Sequence, residues 1–293
     1  MSTNRQPLQY SLKGYVMHPT IALLTDFGTT DTYVGVMKAV MANICPGVQF
    51  IDLTHAIPPQ NVRAGALALL KSYRYFPSGT VFLVVVDPGV GGARRAIAVR
   101  AGEHAFIAPD NGILSYALGD FEGYIAHELT NPAYQLPVVS DTFHGRDIFA
   151  PAAAHLAAGV PLESLGASVS PITQLPMPQL QVEGQQISGQ VIHIDHFGNI
   201  ITNIGQLRWG QGDQLTFVPA SGDSSLTIDA NNAAIRVNGQ SISSIRRSYS
   251  QTNPGDLLAL VDSGGFLEVA LNQGNAAAHL NITLDTPITL QIG

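Results

Sequence analysis

VFLVVVDPGVGGARR, residues 81–95, is the stretch on which the fold turns. An unbroken apolar run ends in a single carboxylate, Asp87, followed by a Pro-Gly turn and the pair Arg94-Arg95. A run of that kind reads as a strand covered on both faces, which places Asp87 at its carboxyl end. Open α/β sheets bind ligands at that end. Upstream, TIALLTDF begins at Thr20, a helical pattern runs from about Thr32 to Ala42, VQFIDLTH follows, and Val62–Phe76 is a second helix with Asn61 as N-cap. Downstream, IAVRAG and HAFIAPD read as two more strands, and Asp147–Ala158 as an Ala-rich helix with Pro151 in its first turn. Strands alternating with helices indicate right-handed βαβ units, so residues 20–170 are expected to form an α/β domain with a mostly parallel sheet.

Periodicity of either kind fades among Pro171, Pro176 and Pro178, and residues 171–188 read as a linker. Beyond it QVIHIDHF, QLTFVP, SLTIDA, DLLALVD, FLEVAL, HLNITLD and PITLQIG are separated by Gly, Asn, Asp and Ser. That spacing predicts an antiparallel β-barrel domain over residues 189–293. Residues 1–19 read as an extension, with Met17 as an alternative start.

The chain has 293 residues, 45% of them hydrophobic and only 12% charged, with a formal net charge of −7. That balance supplies neither a basic footprint for nucleic acid nor a polybasic membrane patch, so a small neutral or cationic partner fits better. The single cysteine, Cys45, excludes an intramolecular disulfide and a cysteine metal site, and reads as a structural thiol. The polar start resembles neither a secretory signal nor a membrane span, and the expected location is cytoplasmic.

Candidate chemistry clusters at strand ends. Asp26, in Thr25-Asp26-Phe27-Gly28, is placed to accept hydrogen bonds from a ribose diol, with a turn or helix-start acid as the plainer reading. Neither GxGxxG nor GxxxxGK[ST] occurs, which favours a nucleoside without phosphates. The Pro88–Ala93 turn allows Arg94, or equally Arg95, to fold back on Asp87, and a paired aspartate stays ionised. His144, in Phe143-His144-Gly145-Arg146-Asp147, sits where a loop enters a helix. His55 and Asp110-Asn111-Gly112 belong to the same rim and on their own read as turn or capping groups. In the second half, Asn199 has a paired donor and acceptor for a purine edge, Asp195 suits an ammonium group, and Asp262-Ser263-Gly264-Gly265-Phe266 makes a tight loop fit for a carboxylate.

Taken in order, TDFGTTDTYVGVMK (25–38), DLTHAIPPQNVRAG (52–65), VVVDPGVGGARR (84–95), APDNGIL (108–114), FHGRDIFAPAAAHLA (143–157), IDHFGNIITNI (194–204) and DSGGFLEVA (262–270) resemble the S-adenosyl-L-methionine (SAM) hydroxide adenosyltransferases, the adenosine-forming SAM hydrolases. The resemblance runs from about Thr20 to the C-terminus. It implies an α/β domain, a C-terminal β-barrel, and a homotrimer holding SAM between one subunit's N-terminal domain and its neighbour's C-terminal domain. It also implies that the groups acting on water are Asp87, Arg94 and His144, preferring Arg94 to Arg95. The implied ribose acid is Asp26, with Phe27 and Asn111 in the substrate-binding set, and Asn199, Phe197, Asp195 and Ser263 meeting adenine and methionine. Some halogenating relatives have Arg beside that serine, where this chain has Gly264. Relatives that use fluoride or chloride carry tyrosines at the positions of Asp87 and His144, and the fluorinating ones an extra loop, so water is the expected nucleophile.

The sulfonium of SAM leaves as a neutral thioether, so the reaction needs no acid for the leaving group and no cofactor or metal is expected. Water is the difficult partner, because it must be oriented and desolvated as it attacks the ribose 5′ carbon. Asp87 as base or orienting group, and hydroxide stabilised by Arg94 and His144, are both open at this stage. The rival readings are a SAM-dependent halogenase, a metal-dependent hydrolase using Asp26, His55, Asp87, Asp110 and His144, and a non-catalytic SAM or adenosine binder.

Overall fold

The computed structural model describes residues 18–218 and 225–292. Met17 as a start, and all of the expected extension except His18 and Pro19, lie outside the described residues. The chain forms two compact units, residues 1–175 and 176–293.

In the first unit, a six-stranded sheet contains β1 (Thr20–Thr25), β2 (Gln49–Thr54), β3 (Val81–Val85), β4 (Ala96–Ala101), β5 (His104–Pro109) and β6 (Ile125–Glu128), in the order β2-β1-β3-β5-β4-β6. β1 pairs in parallel with β2 and β3, and β3 with β5, while β4 is antiparallel to both β5 and β6. The sheet is therefore mixed and rich in parallel pairs. β4 runs against the rest because only Gly102 and Glu103 separate it from β5, and a two-residue link can only make a hairpin.

Helices α1 (Tyr33–Ile44), α2 (Val62–Ser72), α3 (Ser115–Leu118) and α4 (Ala150–Ala157) accompany the sheet. Asn61 Oδ1 accepts from the Ala64 N–H at 2.9 Å, which is the expected N-cap of α2. Side chains alternate across the strands. Ile21, Leu23, Leu83, Val85 and Ile107 share one core with Met37 and Met41 of α1 and Phe149 and Ala153 at α4. Phe82 and Phe106 are also fully buried and stack at 5.2 Å, with Tyr73 and Phe76 from the end of α2 packed edge-on against them. Covering on both faces is why residues 81–86 carry no polar alternation.

The second unit has β7 (Gln181–Glu183), β8 (Gln186–Ile194), β9 (Ile200–Thr202), β10 (Leu207–Trp209), β11 (Gln214–Phe217), β12 (Leu226–Asp229), β13 (Ala234–Val237), β14 (Gln240–Ser243), β15 (Ile245–Arg246), β16 (Leu257–Val261), β17 (Leu267–Leu271) and β18 (Pro287–Gln291), with helix α5 (Ala276–Leu280). β10-β11-β12 form a three-stranded sheet, and the rest a nine-stranded sheet in the order β14-β13-β18-β8-β9-β17-β16-β15, with β7 on β8. The two ends of that path, β14 and β15, are separated in sequence by Ser244 alone, so the sheet curls until its edges meet in a nearly closed barrel. The β15–β16 pair is parallel, an exception to the antiparallel expectation.

Two local readings are corrected. β7 and the start of β8 fall within residues 171–188, read as linker, because Gly184 (φ 56°) turns a short hairpin there. HLNITLD (279–285) is not a strand: Asn275 caps α5 by accepting from the Ala278 N–H at 2.7 Å, and Asn281 ends it in the left-handed region.

Candidate active site

β2 lies on one side of β1 and β3 on the other, so the strand order reverses at β1 and opens a crevice between the carboxyl ends of β1 and β3. Thr25 pairs with Val85 in register, and Asp26 and Asp87 stand just beyond those ends. Asp87 receives Arg94 in a forked contact: Nε donates to Oδ1 and Oδ2 at 3.0 Å each, and Nη2 to Oδ2 at 2.5 Å. The two side chains are only 5% and 11% exposed, so the pair is largely shielded from water. Arg94 also lies over the Phe149 ring at 5.2 Å. Arg95 instead donates through Nε to Asp110 at 2.7 Å and through Nη2 to the Pro171 carbonyl at 2.7 Å. The choice between the two arginines, open in the sequence, falls on Arg94.

The turn between them needs glycine at residue 91. Gly91 has φ 73°, and a Cβ there would stand 2.3 Å from the Asp141 carbonyl oxygen. That close approach seats the 88–93 turn on the segment leading to His144.

His144 Nδ1 lies 2.8 Å from Arg94 Nη2. A guanidinium only donates, so Nδ1 accepts and the neutral ring carries its proton on Nε2. Burial first, then the Arg94 charge, holds the ring below its ordinary pKa, outweighing Asp87, Asp147 and the Ser140 backbone. A π-helical turn, Gly145–Phe149, follows His144 and leads into α4. It is anchored by fully buried Asp147, which accepts from the Ser140 N–H at 2.8 Å, the Ser140 hydroxyl at 2.6 Å and Arg146 Nε at 2.6 Å. Burial would raise the Asp147 carboxyl, but these contacts outweigh it and hold it low.

Asp26 Oδ2 accepts from the Gln60 N–H at 2.7 Å. Phe27, Tyr33 and Phe143 pack with centroids 5.1–6.0 Å apart, tying the Asp26 loop to the His144 loop. Beneath Asp26 lies a network the sequence reading missed. Thr25 Oγ1 meets His55 Nδ1 at 2.8 Å, His55 Nε2 meets Asp52 at 3.0 Å, and Lys38 donates to Asp52 at 2.7 Å. Asn111 Nδ2 donates to the Val86 carbonyl at 2.8 Å, which braces the chain next to Asp87. Asp26, Phe27, Asp87, Arg94, Asn111 and His144 thus gather at one sheet edge. Asp110 is committed to Arg95 and to the Thr173 N–H. Among the described residues no group of three or more His, Cys, Asp or Glu is arranged to hold a metal.

Asp195, Phe197, Asn199 and Ser263 belong to the second unit. Asp195 Oδ1 accepts the Phe197 and Asn199 backbone N–H groups at 2.9 Å each, and Oδ2 accepts Asn199 Nδ2 at 2.9 Å. Phe197 is 72% exposed at the tip of that turn. Asp262 Oδ1 holds the Gly264 and Phe266 N–H groups at 2.8 and 2.9 Å, leaving Ser263 exposed on the loop. Tyr249, not singled out in the sequence, accepts from Asn199 Nδ2 at 3.2 Å and donates to Glu268 at 2.5 Å. Burial, then Glu268, raises its phenol well above the ordinary range, so it remains a donor.

Residues 21–166 match the SAM hydroxide adenosyltransferase N-terminal domain and residues 189–289 its C-terminal domain. The chain belongs to the SAM hydroxide adenosyltransferase family. Similar members include proteins named (R)-S-adenosyl-L-methionine hydrolase from Salinispora tropica, 41% identical over 90% of this chain and 95% of theirs, and from Thermus thermophilus, 38% identical over 92% and 98%. A protein named fluorinase from Actinoplanes is 32% identical over 93% and 97%. A crystal structure of an uncharacterized conserved protein from Thermotoga maritima superposes with a TM-score of 0.82 at 37% identity, covering 92% of this chain and 99% of that one. The Thr25–His55 contact escaped sequence reading because Thr25 closes β1 whereas His55 follows β2, 30 residues further along the chain. The only local signal was polar residues closing apolar runs.

Proposed function

We propose that this chain hydrolyses SAM to adenosine and L-methionine by in-line attack of a water molecule on the ribose 5′ carbon. The observation that carries the reading is the shielded Asp87–Arg94–His144 chain at the crevice between β1 and β3, in a member of a family whose similar proteins are named SAM hydrolases. Two oxygens of Asp87 engage the guanidinium unequally: Oδ2 takes two donors and Oδ1 one, so Oδ1 has the greater remaining capacity to accept from water. Arg94 holds the carboxylate, and neutral His144 holds Arg94 through Nδ1. A fixed acceptor in a water-poor site contributes about 10²–10⁴-fold as a general base, and orientation adds several kcal/mol more. Asp26 receives the ribose diol and Phe27 its apolar flank, Asn111 keeps Asp87 in place, and Asn199, Phe197, Asp195 and Ser263 meet adenine and methionine. No metal or cofactor takes part.

The homotrimer implied by the family resemblance, with neighbouring subunits sharing each SAM, belongs to the proposal, as does a cytoplasmic setting. Among the described residues no helix is long and apolar enough to cross a membrane. The fluorinase relatives motivate one alternative, halide as nucleophile. Incubation with SAM in halide-free buffer, with fluoride or chloride added in parallel and EDTA in a third arm, tests the reading by chromatography. Adenosine and methionine at equal rates in all arms are expected. A 5′-halogenated product, or no adenosine, overturns it. Light scattering tests the trimer.

A further inference from the structure

One chain of hydrogen bonds in the second unit has a direction imposed by its ends. Glu268 is buried, and its carboxylate receives the Tyr249 hydroxyl proton at 2.5 Å. A hydroxyl has one proton, so toward Asn199 the Tyr249 oxygen is an acceptor, and it takes an Nδ2 hydrogen at 3.2 Å. The other Nδ2 hydrogen goes to Asp195 Oδ2 at 2.9 Å. Asp195 is itself held by two backbone N–H groups on Oδ1. Turning the amide over would set Asn199 Oδ1 against a carboxylate and a hydroxyl lone pair. Both amide hydrogens are therefore consumed, and Oδ1 is the one group left; among the described residues nothing donates to it. Asn199 offers an acceptor alone, which corrects the expectation of a paired donor and acceptor.

We propose that Asp195, Tyr249 and Glu268 act as positioning residues that lock Asn199 as an acceptor, and so make the chain selective for a 6-amino purine over its 6-oxo counterpart. This rests on the SAM reading above, in which Asn199 meets the purine edge. An exocyclic amine donates to Oδ1, whereas a 6-oxo group presents a second acceptor and leaves both unsatisfied.

The test compares kcat/KM for SAM and for its deaminated analogue, S-inosyl-L-methionine, in the wild type, Asp195→Asn and Tyr249→Phe. The ratio of two substrates on one protein cancels differences in folded fraction, which a merely structural role would change. The wild type is expected to favour SAM by about a hundredfold or more. In Asp195→Asn the new side-chain oxygen keeps the two backbone N–H groups, so its amide nitrogen opposes Asn199 Nδ2 donor to donor; one of the two locks is lost, only Tyr249 still holds Nδ2, and the flipped amide that presents Nδ2–H to the base becomes populated. The ratio then falls at least about tenfold, and any loss of methionine contact affects both substrates alike. Tyr249→Phe loosens the amide and lowers the ratio less. Calorimetric binding of adenosine against inosine gives the same comparison for a variant without turnover. A wild-type ratio near unity, or variants that keep the wild-type ratio, overturns the proposal. A wild type that leaves SAM intact overturns the hydrolase reading instead.

Discussion

Replacing Asp87 by Asn is the sharpest perturbation of the site, because it keeps the shape and removes the charge. In the wild type the carboxylate takes three contacts from Arg94 within 3.0 Å, and both side chains are nearly inaccessible. The variant leaves a buried guanidinium with only neutral acceptors, the residue 87 side-chain carbonyl and His144 Nδ1, and breaking such a charge pair costs up to about 3–5 kcal/mol of stability. Its effect on rate is separate. Loss of the base or orienting acceptor lowers kcat by about 10²–10⁴-fold, equivalent to about 3–5 kcal/mol of transition-state stabilisation. Asp26 and Asn199 are untouched, so SAM affinity should change by less than about threefold. Single-turnover chromatography gives the rate, calorimetry the affinity, and a thermal melt the stability. A parallel fall of rate and affinity, or a rate within about tenfold of wild type in a folded sample, refutes the assignment of Asp87 to the water.

His144 has a depressed pKa, so its ring is neutral above its ordinary value of 6.5. Protonation turns Nδ1 from acceptor to donor against Arg94; kcat/KM should fall as pH drops below that value, and His144→Gln should remove this acid limb from the pH–rate profile. Gly91→Ala introduces a methyl where the Asp141 carbonyl already sits, at a positive φ, and should lower kcat at least about tenfold while circular dichroism shows the fold retained. Half-buried His104, packed edge-on against Phe82 and Tyr73, is likewise held below its ordinary pKa by desolvation, so the fold prefers it neutral. Its stability contribution is complete above pH 6.5 and is lost as pH falls through the folded-state value; urea unfolding from pH 7.5 to 5 should show this slope, and His104→Phe should flatten it.

Much of the first unit could be read along the chain because its signals are local. The apolar run at 81–86, the cap at Asn61 and the Ala-rich helix before Gly159 follow from side-chain period and backbone preference alone. The direction of β4 was also legible, in the two-residue Gly102-Glu103 link, but period alone does not report strand polarity. In the second unit, short strands such as β9 and β15 carry too few residues to show alternation, and Asn275 redirected an apparent strand into a helix.

What the sequence determined by itself was the inventory: carboxylates beyond the ends of three strands (Asp26, Asp87 and Asp110), a histidine at a helix entrance, an asparagine in a glycine turn, and the family to which their order belongs. Only tertiary structure decided the pairings. Arg94 and Arg95 are adjacent and chemically identical, yet one meets Asp87 and the other Asp110, because the turn at Gly91 and the β4–β5 hairpin send their side chains to different neighbours. Likewise, the amide of Asn199 has a donor and an acceptor in any sequence, and which of them stays free is set by Asp195 in the same turn and by Tyr249, which is itself held by Glu268 on β17. Residue type fixes what a group can do; the groups packed around it fix which of those capacities remain free.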